Sequence, residues 1–238
     1  MNLDVLVFAA HPDDAELSMG GTIAKLTHNK FKVGIIDFTR GELGTRGSAE
    51  TRQKEAFQAA IILKTSVREN LYIPDGNIQR TKENLIKVVM EIRKFRPKII
   101  FAPYFNDRHP DHIDASCIVK EAMFSSGLPK VKTFNKEVAQ EAYRPEKLFY
   151  YMQTYTFEPT FIVDVTKYFD TKMRAVKAFS TQFYDPKNSE PETFISNPKF
   201  LDYIESRAKF YGFQIRKTYG EPFYSEESIE LDIADYLK

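Results

Sequence analysis

One cysteine, Cys117, stands among 238 residues. That excludes an internal disulfide and any thiolate-rich zinc site, and it fits a reducing compartment. Neither sign of charge is in excess: 34 Lys plus Arg against 33 Asp plus Glu leave a formal net charge of +1. No global field therefore favours nucleic acid, an anionic membrane or an acidic partner. No apolar run approaches the ~18 residues needed to span a bilayer, and the N-terminus carries Asp4 in its first apolar run with no basic segment before it. A cytoplasmic protein with no nucleic-acid or membrane partner is the expectation. Linker-like composition and internal repeats are also missing, so residues 1–238 read as a single domain, long enough to bury a large core.

What is present alternates between strand and helix patterns. "LDVLVFAA" (3–10) is a continuous apolar run of strand length that stops at "HPDD", where Pro12 keeps His11 out of helical dihedrals. A helical pattern from Ala15 to about Lys30 and a second run, "KVGIIDFT" (32–39), complete a β-α-β unit. "RGELGTRGS" (40–48) reads as a glycine-rich loop and 49–64 as a helix. "LYIP" (71–74) is expected as a short strand, 81–97 as a helix ended by Pro97, and "KIIFAPYF" (98–105) as another buried strand. Pro110 and Asp111 open a helix over roughly 111–124. Further strands are expected at 147–153 and 161–165, further helices at 166–182 and 198–214, and loops near 125–145, 183–197 and after Pro222. The fold class is therefore α/β: a Rossmann-like, mostly parallel sheet with helices on both faces.

Histidine is scarce too, and its placement is informative. Of His11, His28, His109 and His112, three fall in two "HPD" stretches that each follow an expected strand. Loops at the carboxyl ends of strands line the crevice of a doubly wound sheet, so two such loops can meet across nearly 100 residues of sequence. His109 and His112 share a side of the first helical turn, while the adjacent Asp13 and Asp14 point apart and can take different tasks. Two imidazoles and one carboxylate with an open fourth position make a catalytic zinc set, in which bound water acidifies to a pKa of about 7. A second carboxylate can serve as base, and a spare histidine can stabilise an oxyanion. A bare turn capping the next helix would explain either stretch alone. The two together favour a metal site, although spacing does not decide which of His109 and His112 is the ligand. His28 reads as a surface residue, Cys117 as helix packing, and Glu16 as a support to the site.

"AHPDDAE" followed by "RHPDH" about 100 residues later resembles the PIG-L/LmbE-like family of zinc-dependent N-acetylglucosamine deacetylases. "GELGTRGSAETRQKEA" and "VDVTKYFDTKMRAVKAFSTQF" look like the branch acting on N-acetylglucosaminyl malate in bacillithiol biosynthesis. The resemblance implies His11, Asp14 and His112 as ligands of Zn2+, with Fe2+ an option for the same donors. It implies Asp13 as general base, His109 as oxyanion stabiliser and Asp111 as the group orienting His109. It also implies a homo-oligomer, with a hexamer as one option. Where some relatives have a tyrosine this chain has Asp107, leaving Tyr104 or Tyr184 to replace it.

A malate-bearing substrate brings two carboxylates, which suit the planar fork of arginine. Arg46, Arg52 and Arg108 border the expected crevice, with Arg52 and Arg108 at positions matching family arginines, and Glu42 is expected on a sugar hydroxyl. The expected activity is release of acetate from an N-acetylated amino sugar. Rival substrates are N-acetylglucosamine oligomers and other N-acetylated small molecules. Rival classes are a non-haem iron oxygenase, which uses the same two-histidine, one-carboxylate set, and a non-enzymatic module with a structural metal. A His/Cys/Cys nucleobase deaminase is not buildable with one cysteine.

Overall fold

The computed structural model of the chain describes residues 1–187 and 189–234. In β1 (Val5–Ala9) all five residues are buried, because the strand lies inside a seven-stranded sheet with helices on both faces. Its side chains alternate with period two. Val5, Val7 and Ala9 enter one core with Met19, Ile23, Phe179 and Phe223; Leu6, Phe8 and Ala10 enter the other with Val88, Ile92, Ile118 and Val119. The helices follow from this division. α1 (Asp14–His28), α2 (Ala49–Leu63), α5 (Phe169–Lys177) and α6 (Phe200–Gln214) cover the first face, and α3 (Lys82–Phe95) and α4 (Pro110–Ser126) the second. Ser48 and Thr81 cap α2 and α3 by accepting from the backbone N–H three residues on.

The remaining strands are β2 (Val33–Asp37), β3 (Val67–Asn70), β4 (Ile99–Pro103), β7 (Lys147–Tyr151), β8 (Phe161–Asp164) and β9 (Gly220–Tyr224); β5 (Phe134–Asn135) and β6 (Val138–Ala139) form a separate small hairpin. The sheet order is β3-β2-β1-β4-β7-β9-β8. β1 pairs in parallel with β2 on one side (Val7↔Ile35) and β4 on the other (Val7↔Phe101). The winding therefore reverses between β1 and β4, which is the switch point where crevices form in such sheets. Both "HPD" loops leave the sheet there. The mostly parallel α/β reading holds, with β9 antiparallel to both β7 and β8.

Three expectations are corrected. The third strand is Val67–Asn70, not 71–74: it is a half-buried edge strand of charged sequence "VREN", so it shows no apolar run, and Tyr72 breaks the extension with φ 53°. The helix expected over 166–182 is a 3-10 turn at Thr166–Tyr168 followed by α5, which ends at Lys177. No strand was expected at β9, whose last two residues fall in the loop expected after Pro222, a residue confined to edges and strand ends in most sheets. β9 meets β7 over only two pairs, Tyr150↔Tyr224 and Tyr151↔Phe223, and Pro222 lies just beyond them. Among the described residues no helix is long and apolar enough to cross a membrane.

Inside this sheet the fully buried Tyr151 hydroxyl donates to the Phe8 carbonyl at 2.8 Å. Tyr151→Phe is expected to lower stability by about 1 kcal/mol, read as an earlier midpoint in urea unfolding with an unchanged slope.

Candidate active site

Five loops at the carboxyl ends of strands border a cavity of about 450 Å³, the loop after β2 through Leu43, Gly44 and Thr45. The loop after β1 brings His11, Asp13 and Asp14; the loop after β3 brings Asp75; the segment after β4 brings Arg108, His109 and His112; and the segment after β7 brings Gln153. The rings of His11, His109 and His112 lie within 4.7–5.3 Å of one another, centroid to centroid.

Each imidazole is fixed by what holds its far nitrogen. His112 Nδ1 stands 2.9 Å from Asp107 Oδ1, which leaves Nε2 facing Asp14 Oδ1 at 3.4 Å. His11 has the opposite arrangement. Its Nε2 lies 3.0 Å from Asp75 and 3.3 Å from Asp111, and Nδ1 faces Asp14 Oδ2 at 3.5 Å. A carboxylate on one ring nitrogen selects the tautomer whose other nitrogen carries a lone pair. Two ring nitrogens and a carboxylate thus converge, each nitrogen giving up its proton when a metal binds. Asp14 presents Oδ2 to His11 and Oδ1 to His112, and one donor atom from each of the three residues lies within 4.8 Å of the other two. His11, Asp14 and His112 could therefore hold a metal, and so could the group His11, His109 and Asp111. In that second group His109 Nδ1 already accepts from the Asp111 N–H at 3.2 Å as the cap of α4. The Asp111 carboxylate accepts from Gly76 and Ile78 N–H.

Charges in this small space displace one another's proton affinities. Burial would raise Asp14, but His112 and His11 outweigh it and hold the carboxyl well below its usual range. Burial would lower His112, yet Asp14 and Asp107 lift it to about 9. Asp75 is held at about 2 against the effect of burial by its bond to His11. Burial and the neighbouring imidazoles push His109 down, towards the neutral ring. Asp13 goes the other way. Desolvation pushes it up to about 7, opposed by Arg52 and reinforced by Asp14. Its backbone sits at φ 109°, a conformation L-residues rarely adopt and one that recurs at functional positions.

Several expected contacts are not those the structure makes. Arg46 is buried outside the cavity, where it donates to the carbonyls of Phe183, Glu190 and Pro191 and ties two loops together. Glu42 accepts from the N–H groups of Arg40 and Asp75 and does not line the cavity. The Asp111 carboxylate is turned towards His11 and the 76–78 turn; its N–H, not its carboxylate, bonds His109. Arg52 lines the cavity, but its guanidinium is bound to Asp13 Oδ2 at 3.1 Å and to the carbonyls of Pro12 and Gly41. Arg108 is exposed on the cavity wall, its guanidinium 4.6 Å from the Phe194 ring centroid. Tyr104 packs among Phe105, Phe157 and Tyr224, Tyr184 is exposed, and neither lines the cavity. Glu16 is fully buried against Arg68, which also clamps Asp37 and so staples α1 to β2 and β3 beneath the site. His28 is exposed and Cys117 is half-buried in α4.

Sequence reasoning missed Asp75, Gln153 and the part played by Asp107. Asp107 Oδ2 also accepts from the N–H of Thr154 and Tyr155, joining the β4 and β7 loops, and Gln153 Nε2 donates to Asp14 Oδ1 at 2.6 Å. Asp107 and Asp75 each follow a strand, in "YFNDRH" and "IPDG", and that is the one signal that could have marked them.

Residues 6–123 match the model of the PIG-L family, GlcNAc-PI de-N-acetylase. The diacetylchitobiose deacetylase of Thermococcus kodakarensis is 31% identical over 191 residues, 75% of this chain and 70% of that protein. Among solved structures, a conserved protein of Thermus thermophilus superposes with TM-score 0.87 and 35% identity, covering 97% of this chain and 98% of that one. An N,N'-diacetylchitobiose deacetylase of Pyrococcus horikoshii, complexed with an inhibitor, superposes with TM-score 0.80 and 28% identity over 92% of this chain and 82% of its own.

Proposed function

The chain belongs to the PIG-L (GlcNAc-PI de-N-acetylase) family, and on that premise we propose that it is a zinc-dependent hydrolase removing acetate from an N-acetylglucosaminyl substrate. The observation that carries the reading is the opposed bracing of His11 and His112. Each has a carboxylate on its far nitrogen and the near nitrogen 3.4–3.5 Å from Asp14, in a cavity that also holds Asp13.

A divalent ion held by His11, Asp14 and His112 would supply Lewis acidity, polarising the acetamide carbonyl and acidifying water. The chain's own groups account for the rest. Asp13, whose carboxylate is hydrogen-bonded to none of the three among the described residues and is lifted by burial, takes the proton of the attacking water. His109 accepts from the Asp111 N–H at Nδ1, so its neutral ring carries the proton on Nε2, available to an oxyanion on the substrate. As the C–N bond breaks, the proton held on Asp13 passes to the sugar nitrogen, which leaves as the amine with acetate as the second product, and Asp13 returns to its carboxylate. Gln153, donating to Asp14 Oδ1, holds the carboxylate between the two histidines.

The substrate assignment extends to N-acetylglucosaminyl malate, the conjugate deacetylated in bacillithiol biosynthesis. Arg108 lines the cavity with its guanidinium on Phe194, and among the described residues it has no hydrogen-bond or ion-pair partner, leaving its fork for a carboxylate. Acetate release from the malate conjugate and from N-acetylglucosamine at equal concentration tests this. The expected result is a kcat/KM at least about tenfold higher for the conjugate, lost in Arg108→Ala. Equal turnover of both would remove the malate assignment and leave the deacetylase reading in place.

A further inference from the structure

α1 is not one continuous helix, and the break lies one turn from Asp14. Met19 has φ −136° and ψ 21°, separating the first turn from the Gly20–His28 segment. In an unbroken helix the N–H groups of Gly21 and Thr22 would donate to the carbonyls of Leu17 and Ser18. Both halves of those two bonds are met by side chains from the far end of the sequence. Glu221 of β9 accepts from Gly21 N at 3.0 Å and from Thr22 N at 2.7 Å, and the Thr22 hydroxyl donates to it at 2.6 Å. The Leu17 carbonyl accepts from Arg207 Nη2 of α6 at 3.1 Å, and the Ser18 carbonyl from Lys172 Nζ of α5 at 3.4 Å.

Lys172 and Glu221 are themselves paired at 2.6 Å, both almost completely buried. The adjacent glycines make room for this. A Cβ on Gly21 would come within 2.8 Å of Val165 Cβ and 3.1 Å of Glu221 Oε1, and one on Gly20 within 3.1 Å of Lys172 Cγ. "SMGG" is therefore the sequence form of a helix opened by inserted side chains. Arg207 also donates to the Gln153 carbonyl, and Gln153 in turn donates to Asp14. The detached first turn carries Asp14 and lines the cavity with Leu17 and Ser18.

We propose that Glu221 and Lys172 are positioning residues: they hold the break in α1 open and so aim the Asp14 turn at His11 and His112. The inference rests on the reading of Asp14 as a metal ligand, and it concerns how the ligand is held, separate from which substrate is cleaved. A buried ion pair is a poor source of net stability, since apolar replacement of both partners is often neutral. A site-directed role explains its presence better.

The test measures zinc affinity of the full-length protein by chelator competition, in wild type, Asp14→Ala, Thr22→Val and the paired variant Glu221→Gln/Lys172→Met. The paired change removes both charges together, so no unpaired buried charge remains. Asp14→Ala should lose affinity by more than any of the others. The paired variant should retain a cooperative thermal transition and bind zinc about tenfold more weakly, the low end of the range for residues supporting a ligand. Combined with Asp14→Ala it should add less than that tenfold, because its effect runs through Asp14. Thr22→Val, which keeps shape and loses one bond to Glu221, should weaken zinc about threefold. This reading decides the matter if the paired variant does not fold. Wild-type affinity in a folded paired variant or in Thr22→Val, or a fully additive loss with Asp14→Ala, would overturn the positioning role while the ligand reading stands. Unchanged affinity in Asp14→Ala would instead overturn the ligand reading and the positioning role with it.

Discussion

Asp13→Asn is expected to lower kcat by about 10²–10⁴-fold while the purified protein keeps its wild-type zinc content. Asparagine is the informative replacement because position 13 sits at φ 109°, where alanine would add backbone strain and asparagine is among the better tolerated residues. The amide keeps the side-chain volume and can still meet Arg52, but it cannot accept a proton. No hydrogen bond joins the Asp13 carboxylate to His11, Asp14 or His112 among the described residues, so metal retention should not depend on it. Steady-state turnover together with metal analysis on the same sample checks both halves. Near-normal kcat would remove Asp13 from the base role. Lost zinc would mean instead that its charge holds the metal.

His112→Ala should cost still more, because it removes a proposed ligand whose ring Asp107 orients. Zinc is expected to be lost on gel filtration, and acetate release to fall below detection. The companion variant Asp107→Asn separates the two contributions. It keeps the imidazole but weakens the acceptor that fixes its tautomer, and it should reduce zinc affinity by about 10–100-fold, the range for a residue that orients a ligand. Asp107 also accepts from His109, Thr154 and Tyr155 N–H. A thermal melt is the control that separates loosened loops from a mispositioned ring. If His112→Ala retains stoichiometric zinc while His109→Ala does not, the two histidines exchange roles and the site is the His11, His109 and Asp111 group.

The parts legible in the sequence were those with local signatures. β1 was readable because a strand covered on both faces needs apolar residues at every position, and the "HPD" stretches because a proline and an acid after such a run mark a loop feeding a helix. Their meeting at the β1–β4 switch point follows from strand order, which the alternation of elements suggests and only the sheet itself displays. What stayed hidden depends on distant partners. Arg46 and Arg108 look alike in sequence. One spends its donors on carbonyls 137–145 residues away, while the other stays on the cavity wall. Asp107 was noticed only for standing where some relatives have a tyrosine, and nothing local says that its carboxylate faces His112. β9 was missed because Pro222 argues against a strand locally, although tertiary pairing with β8 places Pro222 opposite Ile162.

β9 also sets an order of events in the cell. The groups that brace the turn bearing Asp14 include Glu221, 200 residues downstream of Gly21. A ribosome adding about 5–20 residues per second needs roughly ten seconds or more to cover that distance. For that interval the emerging chain already displays His11, Asp13 and Asp14 without the strand that shapes their helix. A delay in inserting β9 between β7 and β8 therefore delays completion of the Asp14 turn by the same interval.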